Sequence, residues 1–156
     1  VTFLGMAQAD QEGNVNVTKF GRQVAGPGGF VNISQNSKKV VFCGNFTTGA
    51  ETEVRDGKLV ITKEGKGNKF VSQVDQVSFS GKYAAQINQP VVYVTERAVF
   101  TLEEGALTLI EIAPGVDLEK DVLGQMGFKP RISKNLKTMD SGIFQEKWGR
   151  LKDYIK

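Results

Sequence analysis

Apolar residues along this chain fall into short, nearly unbroken runs separated by polar or glycine-rich breaks, a strand-dominated pattern. Residues 1–7 (VTFLGMA) have the length and composition of a buried strand. Residues 8–14 (QADQEGN) read as a turn, with Gly13 and Asn14 able to take positive φ. Val15 and Val17 mark a short strand. Residues 26–29 (GPGG) are the most conformationally unusual point, followed by an apolar segment at 30–33 and a polar break at 34–37. A second apolar strand occupies residues 39–43 (KVVFC). Apolar strand, glycine-rich loop, short segment and apolar strand together predict an α/β core with partly parallel strands.

The middle of the chain changes character. Extended runs at 52–54 and 59–62 flank Asp56 and Gly57, a hairpin signature. Residues 70–71 and 74–79 continue the β pattern, and strands are predicted at 91–95, 98–102 and 107–112, with Glu104 and Gly105 at the turn between the last two. The one predicted helix runs from Asp117 to Met126. Asp117 is its N-cap, Glu119 and Asp121 favour its first turn, and Gly127 stops it. In the basic tail, residues 133–156, the residues Phe144, Trp148, Leu151 and Ile155 recur as one helix face would require, which predicts docking on the domain itself or on a neighbouring subunit.

A length of 156 residues fits one domain, and 40% hydrophobic residues allow it a packed core. The chain has no histidine and one cysteine, Cys43. Ser-His-Asp and Cys-His catalysis, histidine-ligated metals, CxxC zinc sites and intrachain disulfides are thereby excluded. The net charge of +3 is unevenly spread. Residues 1–90 carry 10 basic and 7 acidic groups, 91–121 carry 2 and 7, and 122–156 carry 8 and 3. No dense basic face interleaved with aromatics appears, so no nucleic-acid partner is expected. No apolar run reaches a membrane span, and the single cysteine suits a reducing, cytoplasmic setting.

Read from residue types alone, residues 26–29 are either a tight turn or a loop whose backbone amides meet an anion or oxyanion. They match neither Walker A nor GxGxxG. Cys43 reads as a buried small hydrophobe. Glu96, Asp10 and Glu12 are possible acid–base groups, although charged strand ends are usually surface pairs. The lysine–glycine stretch at 63–69 reads as a solvated loop.

Four segments in register carry a resemblance: residues 3–10 (FLGMAQAD) with 13–16 (GNVN), 26–30 (GPGGF) followed by 38–42 (KKVVF), 94–100 (VTERAVF), and 107–115 (LTLIEIAPG). Together they resemble the C-terminal part of family I coenzyme A transferases, in particular the single-chain enzymes acting on acetate, propionate and other short-chain acids. The resemblance implies a β-rich part of an open α/β, NagB/RpiA-like domain spanning 1–156, with a β insertion at about 50–80 that serves packing or oligomer contact. It implies ping-pong transfer of CoA through a glutamyl-CoA thioester, with CoA and a carboxylate as substrates, no cofactor and no metal, in a homo-oligomer. By the same resemblance, Gly28, Gly29 and the Phe30 N–H form an oxyanion loop, and Gln8, Asn14, Gly26, Asn45 and Phe46 line the CoA or substrate pocket.

The family's nucleophilic glutamate lies in a Glu-Ser-Gly or Glu-Asn-Gly stretch, and neither tripeptide occurs here. Glu12, Glu64 and Glu104 precede glycines only in turn contexts. The nucleophile is therefore expected upstream of Val1, the chain is expected to begin partway into a structural unit, and it is expected to be silent alone. The Thr-Glu-Arg motif around Glu96 is expected to be structural. Residues 43–47 (CGNFT) replace the Glu-His pair of oxoacid transferases, which fits simple short-chain acids. The alternative is a non-catalytic binding or assembly module on the same fold.

Overall fold

The computed structural model describes residues 1–155. Its centre is a six-stranded mixed sheet. The eight longer strands are β1 (Thr2–Gly5), β2 (Val40–Cys43), β3 (Glu51–Arg55), β4 (Lys58–Lys63), β5 (Val91–Val94), β6 (Ala98–Glu103), β7 (Ala106–Ile112) and β8 (Arg131–Thr138). The sheet runs in the order β1-β2-β5-β6-β7-β8. β1, β2 and β5 are parallel, β6 is antiparallel to both neighbours, and β8 is parallel to β7. The expected α/β core with partly parallel strands is present.

Parallel neighbours require a crossover. The β1-to-β2 crossover contains α1 (Phe30–Asn36), and the β2-to-β5 crossover contains the β3–β4 hairpin and α2 (Gly81–Gln86). Neither helix is expected from the sequence, which predicts an apolar segment and a polar break at 30–37 and assigns no element to 81–86. Phe30 stacks on Phe42 of β2 at 5.8 Å and Ser34 is fully buried, so tertiary packing overrides the β-branched Val31 and Ile33. The start of α2 is capped by the Ser80 hydroxyl, which accepts the Tyr83 N–H at 3.2 Å.

One face of the sheet carries Phe42, Tyr93 and Phe100, all fully buried. Phe79 meets Phe42 edge-on at 5.0 Å, and Phe46, Phe70 and Phe100 form a second aromatic cluster. The expected strand at 74–79 does not form. Phe70 and Phe79 enter the core from irregular chain, each through a single bridge, to Ala9 and Val15. β1 is likewise an edge strand rather than a buried one, with Phe3 69% exposed.

Both predicted hairpins close as anticipated. Asp56 and Gly57 (φ 51° and 72°) and Glu104 and Gly105 (φ 50° and 72°) are left-handed pairs whose twist matches the strands they join. The predicted helix at 117–126 is instead a π-helical turn, Leu118–Val122, followed by a 3-10 turn, Leu123–Gln125. The Asp117 cap is real, its carboxylate accepting the Lys120 N–H at 2.8 Å. The wide turn leaves the Asp121 carbonyl to a side-chain donor, Arg97, at 3.1 Å. The tail also differs from a single amphipathic helix. It begins within β8, passes through a 3-10 turn at Ser141–Phe144 and ends in a helical turn at Leu151–Tyr154. Phe144 is buried against its own domain, whereas Ile155 is 67% exposed. Trp148 is half-buried, and the Leu151 side chain lies outside the described residues.

Candidate functional site at the carboxyl ends of the parallel strands

The three parallel strands end together. Gly5, Cys43 and Val94 are in register, and the ladder continues through Met6 N–H to the Cys43 carbonyl and Gly44 N–H to the Val94 carbonyl, both at 3.1 Å. A helix in such a crossover runs antiparallel to its strands, so the chain entering α1 lies at this carboxyl edge, where open α/β sheets bind ligands. That chain is the glycine-rich loop.

Gly26, Pro27, Gly28 and Gly29 are all exposed. Gly26 (φ 81°) and Gly28 (φ 51°) occupy the left-handed region that favours glycine. The loop is anchored at its entry, where the Ala25 and Gly26 N–H groups both donate to the Thr18 carbonyl at 2.8 and 3.2 Å. Of the three amides expected to act together, the Phe30 N–H donates to the Pro27 carbonyl at 3.0 Å. The Gly28 and Gly29 amides take no partner among the described residues. In this conformation the loop therefore offers two donors, not three.

A buried arginine holds the opposite side of the edge. Arg97 is fully buried at the β5–β6 turn. Its guanidinium donates to both Glu64 carboxylate oxygens (2.7 and 2.8 Å), to the Thr47 hydroxyl at 3.1 Å, to the Asp121 carbonyl at 3.1 Å and to Glu96 at 3.3 Å. It also lies 5.3 Å over the Phe46 ring. The other Glu96 oxygen accepts the Phe46 N–H at 2.9 Å. Thr95 closes the turn by accepting from Arg97 and Ala98. The Thr-Glu-Arg motif is thus structural. It ties the loop after β2, the end of the hairpin and the π-turn to one another. Hydrogen bonding from Arg97 holds the Glu64 carboxyl at about 2, well below the ordinary range, and burial offsets this only in part.

The other candidates divide sharply. Gln8 accepts the Asn16 side chain at 2.7 Å and the Asp75 N–H at 3.1 Å. Asn14 is buried, donates to Asp10 at 3.1 Å and accepts the Gly81 N–H at 3.0 Å. Phe46 is fully buried in the aromatic cluster. These three are committed to internal contacts, whereas Asn45 and Gly26 are exposed. Cys43, expected to be buried, is exposed because it is the one residue of β2 that leaves the interior. Asp10 is not a surface pair either. It is buried and accepts the Glu12, Asn14 and Val74 N–H groups. Burial raises the Tyr93 hydroxyl, with the Asp10 charge adding to it, and that hydroxyl donates to the Gly13 carbonyl at 2.5 Å.

Beside the edge, Val94, Glu96, Val99, Met139, Ile143 and Phe144 line a largely apolar hollow of about 420 Å³. Among the described residues no cluster of His, Cys, Asp or Glu could hold a metal ion, and no helix is long and apolar enough to cross a membrane. Sequence reasoning took the Thr-Glu-Arg motif as structural but gave Arg97 no role of its own within it. The signal was an arginine set within the apolar run VTERAVF.

A scan against protein-family models finds no match. The fold is nevertheless that of the coenzyme A transferases. Glutaconate CoA-transferase from Acidaminococcus fermentans superposes with a TM-score of 0.64 over 89% of this chain and 52% of its own, at 20% identity, a likeness of fold alone. Nearer relatives add sequence to fold. A caffeate CoA-transferase of Acetobacterium woodii is 57% identical over 97% of this chain and 30% of its own length. The acetate CoA-transferase YdiF of Escherichia coli K12 is 52% identical over 92% of this chain and 27% of its own. The crystal structure of YdiF from E. coli O157:H7, a thioester complex with CoA, superposes with a TM-score of 0.90 at 51% identity, over 92% of this chain and 28% of that one. The chain is thus a close homologue of CoA-transferases and spans about 30% of the length of the relatives it matches.

Proposed function

We propose that this chain forms the part of an acyl-CoA:carboxylate CoA-transferase that frames the reacting thioester, and that the nucleophilic glutamate comes from outside these 156 residues. The observation that carries the reading is the 51% identity and TM-score of 0.90 to an acyl-CoA transferase solved as a CoA thioester complex. CoA is then a substrate rather than a cofactor, the acceptor is a short-chain carboxylate, and the intact enzyme is a cytoplasmic homo-oligomer.

The chemistry explains a chain without histidine. A glutamate carboxylate attacks the thioester carbonyl, CoA leaves as a thiolate, and the result is a mixed anhydride. The thiolate then attacks the glutamyl carbonyl and releases the first acid, leaving glutamyl-CoA. The acceptor carboxylate reverses both steps. Each nucleophile and leaving group is already an anion, so no proton moves and no general base is needed. What each addition requires is a donor for the oxyanion. The two unpartnered amides at Gly28 and Gly29 are suited to that role.

The test is a chimera in which this chain replaces the matching segment of E. coli acetate CoA-transferase. It should exchange CoA between acetyl-CoA and propionate, while the 156-residue chain alone should not. A folded chimera without transfer activity would replace this reading with that of a non-catalytic assembly module. Turnover by the chain alone at the rate of an intact enzyme would overturn the external nucleophile.

A further inference from the structure

The lysine–glycine stretch at 63–69 is solvated at Lys63 and Lys66, which are exposed. Lys69 behaves differently. Its carbonyl accepts the Ala9 N–H at 2.8 Å, and the Val71 N–H returns to the Ala9 carbonyl at 2.9 Å. Between them Phe70 is fully buried, with its ring 4.9 Å from both Phe46 and Phe100, and its carbonyl accepts the Gly127 N–H at 2.7 Å. The backbone beneath Lys69 is therefore clamped on two sides.

From that base the half-buried side chain reaches the carboxyl ends of β1 and β2. Its Nζ lies 3.5 Å from where a Cβ on Gly44 would sit, a point 3.3 Å from the Met6 carbonyl oxygen. Among the described residues the ammonium makes no ion pair and no side-chain hydrogen bond, in contrast to Arg97, which is matched by Glu64 and Glu96. Gly5 and Cys43, which end β1 and β2, and Asn45, which follows Gly44, are exposed and uncharged. The half-buried Lys69 side chain therefore holds its ammonium without a counterion among the described residues, and an incoming anion can supply one. It is also fixed at the edge of the sheet where ligands bind in this architecture.

We propose that Lys69 binds the carboxylate of the acceptor acid. A lone ammonium suits a singly charged carboxylate, whereas phosphate sites gather several donors or a backbone nest. The identity of the anion rests on the transfer reading above; the existence of an anion site does not.

Two measurements test it. In amide NMR of the 156-residue chain, sodium propionate should give saturable shifts at Gly44 and Asn45 that sodium chloride at equal ionic strength does not. Lys69→Met should abolish them and Lys69→Arg should keep them. In the chimera, Lys69→Met should raise KM for propionate about tenfold or more with KM for acetyl-CoA within about twofold, the loss expected of a charge-assisted hydrogen bond. Absence of a saturable shift, or one indifferent to Lys69→Met, would overturn the site. A rise in KM for acetyl-CoA with propionate unaffected would overturn the acceptor assignment and give the anion to a CoA phosphate. Should the unsubstituted chimera be inactive while the propionate shifts depend on Lys69, the transfer reading fails and the anion site stands.

Discussion

Two loops meet the carboxyl edge of the sheet, and they are built in opposite ways. The loop after β2 is fixed through Phe46 and Thr47, both fully buried, by the Glu96–Phe46 hydrogen bond and the Arg97–Thr47 contact. The loop before α1 is exposed along residues 26–29, is held by the Thr18 carbonyl at its entry and by turn hydrogen bonds into α1 at its exit, and keeps two amides unspent. Resemblance placed candidate pocket residues in both. The difference teaches that residues can share a functional edge while doing different work. Phe46 and Arg97 are buried and bonded on one side, and on the other Gly28 and Gly29 keep exposed amides that the proposed reading gives to the reacting group.

That contrast breaks most forcefully at Phe46. Phe46→Ala should lower unfolding free energy by about 3–5 kcal/mol, the range for deleting a buried aromatic ring, in urea denaturation of the chain. A small loss of stability accompanied by a selective rise in KM for acetyl-CoA in the chimera would restore Phe46 to the pocket. Arg97→Met comes next, at about 3 kcal/mol, because it leaves two carboxylates without their cation. It should also loosen elements far apart in sequence, so amide exchange should speed up at Thr47, Glu64 and Val122 together. Loss of protection at one of the three alone would show that Arg97 is not the common anchor.

The same network gives a pH dependence whose sign is fixed. Glu64 titrates near 4.5 when unfolded and about 2 when folded, so its contribution is fully present above pH 4.5 and is lost as pH falls through 2. The urea midpoint should therefore decline between pH 4.5 and 2, and Glu64→Gln should flatten that decline. An unchanged slope in the Gln variant would assign the acid sensitivity to other carboxylates.

How much of this was legible depended on whether the deciding interaction was local. The hairpins at Asp56 and Gly57 and at Glu104 and Gly105 could be read because two adjacent residues set the turn. Asp117 could be read as a cap, yet the turn it caps is π-helical, and the Asp121 carbonyl is claimed by Arg97, 24 residues earlier. The start of α2 had a local signal, Ser80 three residues before Tyr83, that strand-like spacing at 74–79 obscured. α1 had none, since what makes it a helix is Phe30 meeting Phe42. At the candidate site, motif resemblance singled out the glycine-rich loop, which the structure leaves exposed ahead of α1. It did not separate exposed loop from buried support, because Gln8, Asn14 and Phe46 are committed by partners 8 to 67 residues away in sequence. Lys69 was missed for the converse reason. Its neighbours Lys63 and Lys66 are ordinary surface lysines, and only the Ala9 clamp turns it inward.

The smallest effect on stability, and the finest test of the comparison, belongs to Gly28. With φ at 51° and nothing within 4 Å of an added Cβ, Gly28→Ala meets no clash and carries only the backbone strain of a left-handed alanine, about 1 kcal/mol. Because residues 26–29 are exposed and nothing packs where a Cβ on Gly26 or Gly28 would sit, that strain is relieved by the loop turning rather than by the fold yielding, and the two amides turn with it. Gly28→Asn, whose side chain tolerates left-handed backbone, should leave them in place. The chimera carrying Gly28→Ala should therefore keep its urea midpoint nearly unchanged while kcat falls by about tenfold or more, with Gly28→Asn retaining most of the rate. Equal losses in both variants would mean that bulk, not amide direction, matters at this position, and the loop would then be a lid over the site and not its oxyanion donor.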